Sequence, residues 1–217
     1  MVKVNLGIKT IRQCKTFADT MGSLNQPHEF NNQNTEHRTP QEVTRDNLTG
    51  KMGEAGVRLW LTANGLLTSP LDLEVLGENK RDDGDLTCQG LKVSVKTTVN
   101  GRFLLVHVGQ LKWETADIYV VCQFNDPKVK LLGYAYKSDL IKMSVYNDWL
   151  SGVATLYDLV GDKAEIVLEQ GLLPGKTFPM KSTNLFICPE NLRTNFNELL
   201  RYLYAMRSLS WKDGSQE

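Results

Sequence analysis

Apolar and polar residues alternate over residues 2–8, which predicts a short β-strand. The following IRQCKTFADTMG then sets Ile11, Cys14, Phe17, Ala18 and Met21 at the spacing of one helical face. Residues 22–47 break this pattern. They are polar, rich in Asn, Thr and Gln and contain two prolines, which predicts a long loop. Periodicity returns in LTGKMGEAGVRLWLTANG, where Met52, Ala55, Leu59 and Ala63 share a helical face, Thr49 is a candidate N-cap and Gly65 a candidate stop. Gly50, Gly53 and Gly56 recur every three residues in this helix. Each weakens it by about 1 kcal/mol relative to alanine, so a close approach of another group is expected there.

From residue 84 the period shortens to two. Strands are expected at 85–88, 91–97, 103–108 and 118–124, with tight turns at Gln89-Gly90 and Asn100-Gly101. KVKLLGYAYKSDLIKM reads as a further strand running into a loop or helix, and residues 144–183 carry only short apolar clusters. PENLRTNFNELLRYLYAMRSL opens on a proline suited to a first helical turn and aligns Leu192, Phe196, Leu199, Leu200 and Leu203, an amphipathic helix expected to pack on the sheet. Together these elements predict one α/β (α+β) domain over 1–217, with helices on the faces of the sheet and no internal repeat.

Composition narrows the picture only slightly. The chain has 217 residues with 41% hydrophobic content, enough for a packed core, and 25 basic residues balance 25 acidic ones, so any polyanion site must be local. Cys14, Cys88, Cys122 and Cys188 lie far apart without zinc-site spacing and read as reduced thiols. With no signal-like start and no apolar run of membrane-spanning length, a cytoplasmic location and no membrane partner are expected.

The candidate chemistry lies in DGDLTCQGLKVSVKTT, residues 84–99. A lysine, Lys96, sits inside an apolar strand, where its charge is costly to bury without a compensating partner. Folding back at Gln89-Gly90 brings Asp85 and Lys96 to one end of a hairpin. A carboxylate is a hard ligand for Mg2+, and a neighbouring ammonium can orient water and steady charge on a phosphate. GDLTCQGLKVSVKTT, preceded by GKMGEAG, resembles the core of the PD-(D/E)xK nuclease superfamily, over roughly residues 48–137. The resemblance implies a restriction endonuclease-like mixed sheet flanked by helices, with 144–217 as a partner or DNA-contact region. It implies Mg2+, with Mn2+ as substitute, held by Asp85 and Glu54, with Lys96 assisting hydrolysis and Ser94 at the position usually held by an acid. Glu54 and Glu114 are candidates to replace that missing carboxylate, and Gln110 is a candidate supporting residue. The expected activity is a metal-dependent endodeoxyribonuclease, such as a restriction-type enzyme, acting on DNA as a homodimer. The alternatives are a branched-DNA or repair nuclease, and a DNA-binding protein that keeps the fold without catalysis.

Each residue also has a plainer role. Lys96 can protect a sheet edge, Asp85 can cap a turn, and Glu54 can complement a helix dipole. Glu114 and Asp117 stand at a strand entrance, where acids are usually solvated. His107, His28 and His37 lack metal-ligand spacing. GLLPGKT has the outline of a phosphate-binding loop, but three residues separate its glycines and Phe-Pro follows, which excludes an ATPase loop.

Overall fold

The computed structural model describes residues 2–24, 39–74, 85–98, 103–113, 116–173 and 179–213, with the backbone alone at 113 and 207–213. Strand β1 (Val2–Asn5) leads into helix α1 (Ile8–Ser23), whose Cys14, Phe17, Ala18 and Met21 are buried at the expected spacing. Helix α2 (Pro40–Ala63) starts well before Thr49, within the segment predicted as loop. Thr39 and Glu42 form a reciprocal capping box with Pro40 in the first turn, while Thr49 lies inside the helix and donates to the Arg45 carbonyl. Gly65, at φ +74°, follows its end as predicted.

Strands β2 (Leu86–Cys88) and β3 (Leu91–Thr98) form the predicted hairpin. Gln89 and Gly90 both have positive φ, the geometry of a tight primed turn. The next predicted hairpin does not form. Strand β4 (Leu104–His107) pairs with β8 (Asn184–Ile187) in a second sheet, and β3 pairs in parallel with β5 (Ile118–Asn125). A parallel neighbour requires a crossover rather than a tight turn, and β4 and α3 (Val108–Trp113) lie within it. The turn residues Asn100 and Gly101 lie outside the described residues.

Strand β6 (Lys128–Tyr136) returns antiparallel to β5 and runs into α4 (Lys137–Leu140), as the pattern predicted. The main sheet has the order β1-β6-β5-β3-β2. Beyond it lie α5 (Met143–Leu150), α6 (Leu156–Leu159) and β7 (Glu165–Val167), which completes the three-stranded sheet β4-β8-β7. Pro189–Asn191 form a single 3-10 turn, and α7 (Phe196–Asp213) begins after it rather than at the proline. The fold is mixed α/β, with the main sheet flanked by helices.

β5 shows why its sequence is apolar almost throughout. Ile118, Val120 and Cys122 enter the core shared with α1, α2 and α7, while Tyr119 and Val121 enter the core shared with the second sheet and α4 to α6. A strand covered on both faces cannot alternate. Phe196 of α7 meets Trp60 of α2 edge to face at 5.4 Å, fastening two helices over the same sheet face.

Two of the three α2 glycines mark the close approach. A Cβ on Gly53 would lie 1.8 Å from Thr97 Oγ1, and one on Gly56 would lie 2.6 Å from Val129 Cβ, whereas one on Gly50 would meet nothing within 4 Å. The group approaching the helix is therefore the sheet. Opposite effects are expected on substitution. Gly50→Ala gains helix propensity and stabilises by about 1 kcal/mol. Gly56→Ala makes the same gain but loses more to overpacking against stiff Val129, for a net loss on the order of 1–2 kcal/mol. Urea midpoints moving in the same direction for both variants would contradict this packing.

Candidate functional site

The β2–β3 register places Leu86 opposite Val93 and carries Asp85 to the level of Ser94. Asp85 Oδ2 accepts from the Ser94 hydroxyl at 3.2 Å and also from the Val95 backbone N–H. This carboxylate is tied to β3 by two donors at the open end of the hairpin. Val93 and Val95 turn into the core beneath α2, so Ser94 and Lys96 occupy the opposite face of β3. There they stand level with Tyr119 and Val121 of β5. Ser94 is buried and Lys96 half-buried. Among the described residues nothing pairs with the Lys96 ammonium. Asp85 and Ser94 are in contact at this strand end, and Lys96 lies two residues further along β3 on the face of Ser94.

Glu54 lies on α2, on the other face of the sheet. It is 5% exposed, and its Oε2 meets Lys51 Nζ at 2.7 Å. Its direction follows from Arg58, one turn later on the same helix stripe. Arg58 Nε donates to the Ser69 carbonyl, and Ser69 is hydrogen-bonded to Thr87 of β2 through both its backbone N–H and its hydroxyl. That stripe of α2 thus flanks the β2 edge. Gly53 sits over Thr97, near the C-terminal end of β3. Glu54 consequently stands on the flank nearest the end of the hairpin, with its carboxylate engaged by Lys51. Cys14 lies nearby: burial, and then the Glu54 carboxylate, pushes its thiol up to about 11.

The remaining candidates divide. Gln110 is half-buried in α3, and its neighbours Val108 and Leu111 belong to the same core as Tyr119 and Val121. Glu114, His28 and His37 lie outside the described residues, as do the last residues of GLLPGKT. Asp117 has a structural role: its Oδ2 accepts from Lys92 N–H at 2.8 Å and its carbonyl from Lys137 N–H, joining β3, β5 and α4. His107 Nδ1 accepts from Gly109 N–H at 3.0 Å, and burial lowers its basicity, consistent with a satisfied neutral imidazole. Cys88 and Cys122 are buried, and desolvation pushes both thiols up, which makes them inert.

Among the described residues no cluster of three or more His, Cys, Asp or Glu side chains can hold a metal. Mg2+, however, keeps several waters and is commonly held by one or two carboxylates together with substrate phosphate. Asp85, with the Ser94 hydroxyl beside it and Glu54 on the adjoining flank, fits an ion held in that way rather than in a closed protein cage. Lys51 is the residue that motif reading missed. Its i, i+3 spacing to Glu54 was visible, but only the fold shows that Glu54 is buried and Lys51 half-buried beside it.

Comparison of the chain with protein-family models, with curated proteins and with solved structures finds no match. Among the described residues, no helix is long and apolar enough to cross a membrane.

Proposed function

We propose that the protein is a Mg2+-dependent endodeoxyribonuclease of PD-(D/E)xK type. The observation that carries this reading is the contact of Asp85 with Ser94, with Lys96 two residues on along the same face and no described partner for its ammonium. A half-buried lysine held without a counter-charge suits an anion arriving from outside, and a DNA phosphate is such an anion. Bound Mg2+ would supply charge neutralisation and polarisation at the phosphoryl group. Asp85, supported by Glu54, would hold the ion. Lys96 would donate to a phosphate oxygen, orient the attacking water and steady the negative charge that develops at phosphorus. Ser94 keeps the Asp85 carboxylate oriented. The parallel pairing of β3 with β5 and the packing of α2 across the sheet give this end of the hairpin a rigid support.

A second reading is DNA binding without hydrolysis. Two observations favour it: Ser94 donates to Asp85 instead of adding a carboxylate, and Lys51 already neutralises Glu54. Both reduce the negative charge available to a metal. Incubation with supercoiled, linear and branched DNA in Mg2+ or Mn2+ separates the readings. Metal-dependent cutting is expected, and a preference for junctions or flaps would point to a repair nuclease rather than a restriction-type enzyme. DNA retention without cutting under every metal condition would sink the nuclease reading. Cutting both strands of a duplex suits a homodimer, which mass measurement in solution tests directly.

A further inference from the structure

Lys51 and Glu54 form a largely buried ion pair on the flank of α2 that borders the hairpin end, with Glu54 buried and Lys51 half-buried. Their side chains are 13% and 7% exposed and their charged atoms lie 2.7 Å apart. The Lys51 ammonium also lies 5.3 Å from the centre of the Phe17 ring on α1. Among its contacts are therefore a carboxylate that a metal can also take and an aromatic face that a metal leaves in place. Lys51 is itself anchored, because its carbonyl accepts from Cys14 Sγ of α1.

We infer that Lys51 is a resident counter-cation of the site, occupying the place beside Glu54 that Mg2+ must take over, and that it thereby sets the Mg2+ concentration at which the site fills. This rests on the nuclease reading above and adds to it a positioning residue to which the resemblance assigns no role. In the absence of metal, Lys51 holds the Glu54 carboxylate in place and supplies its counter-charge within a buried environment where an unpaired carboxylate is unfavourable. When Mg2+ and DNA enter, Glu54 exchanges one cation for another, and the displaced ammonium retains the Phe17 face. Lys51 therefore acts on the metal through Glu54 and needs no contact with the reacting phosphate.

The test reads Mg2+ binding from thermal unfolding across a Mg2+ series without DNA, so that it does not depend on activity. Lys51→Met is expected to lower the Mg2+ concentration giving a half-maximal shift by about tenfold, a usual size for coupling between neighbouring sites. Adding Glu54→Gln to Lys51→Met should abolish that gain. Lys51→Arg keeps the charge on a guanidinium able to grip both carboxylate oxygens, so its Mg2+ response should be weaker than that of the wild type. If Lys51→Met fails to fold, Lys51→Arg decides the matter. An unchanged response in the charge-removing variant, a gain that survives Glu54→Gln, an arginine variant that binds no more weakly, or no Mg2+ shift in any protein would overturn the inference. Wild-type DNA cleavage measured in parallel distinguishes this failure from failure of the nuclease reading, because cutting without a Lys51 effect leaves the latter standing.

Discussion

Lys96→Ala is expected to lower metal-dependent DNA cleavage by about a thousandfold, the scale seen when a single preorganised charge-stabilising group is removed from an active site. The same substitution should leave stability within roughly 1 kcal/mol of the wild type, because the ammonium has no described internal partner to strand. This combination identifies a residue kept for an external ligand. An edge-strand guard would give the opposite result, with unchanged cleavage and greater aggregation. The β2 pairing reaches only Leu91–Val93 of β3, and at Lys96 the paired neighbour is Val121 of β5, so cleavage and aggregation together decide between the two roles. Lys96→Arg supplies the finer comparison. It preserves the charge but replaces a compact ammonium with a planar fork, so partial activity is expected if phosphate charge matters most and near-complete loss if water must be oriented at one point. Single-turnover cleavage at saturating DNA, with urea midpoints on the same preparations, checks both halves. Full activity in Lys96→Ala would remove the main support for the proposed site.

The hairpin that carries Asp85, Ser94 and Lys96 was legible in the chain because its two signals are local: a period of two and a Gln-Gly turn whose residues both adopt positive φ. The stripe of α7 was legible for the same reason, although its proline starts a separate turn and Leu192 is buried outside the helix. The beginning of α2 was hidden because, among residues 40–47, only Val43 is buried, so no apolar period announces a helix. Its capping box at Thr39 and Glu42 was the signal that could have revealed it. The partner of β4 was hidden for a different reason. Asn100-Gly101 suggested a local hairpin, but β4 pairs with β8 near the other end of the chain, and no short window carries that information. At the site, the identities of the chemical groups were readable and their directions were not. The alternation of β3 separates Lys96 from α2, and the i, i+3 pair of Lys51 and Glu54 acquires meaning only once α1 covers it.

The largest loss of stability is expected from Asp139→Asn, about 3 kcal/mol at neutral pH, the scale for breaking one partner out of a buried ion pair. Asp139 is 6% exposed in α4 and serves three groups at once. It caps Tyr136 N–H at 2.9 Å, receives Arg193 Nε and Nη2 at 2.9 and 3.0 Å in a two-pronged pair, and lies 3.8 Å from Lys163 Nζ. Arg193 exchanges two backbone hydrogen bonds with Tyr134 and places its guanidinium over the Tyr136 ring, so this carboxylate fastens the chain entering α7 onto the last strand of the main sheet. Asparagine keeps the volume and one acceptor but leaves the guanidinium without its charged fork, and Glu198, at 3.6 Å and exposed, is a poor replacement. In a chain of this size the loss corresponds to a fall of about 6–12 °C in Tm. The pH dependence gives an independent check. Burial alone would raise the Asp139 pKa, but Arg193, the Tyr136 N–H and Lys163 outweigh it and hold the carboxyl below its usual range. The stability that this depressed value confers is fully present above the unfolded pKa, about 3.9, and is lost as pH falls through the folded one. The gap between wild type and Asp139→Asn should therefore hold from pH 7 to 5 and narrow below about pH 4 as the wild-type carboxyl gains its proton. Urea midpoints for both proteins across that range measure it. A small gap at pH 7, or one that stays constant into acid, would show that the pair contributes shape rather than charge.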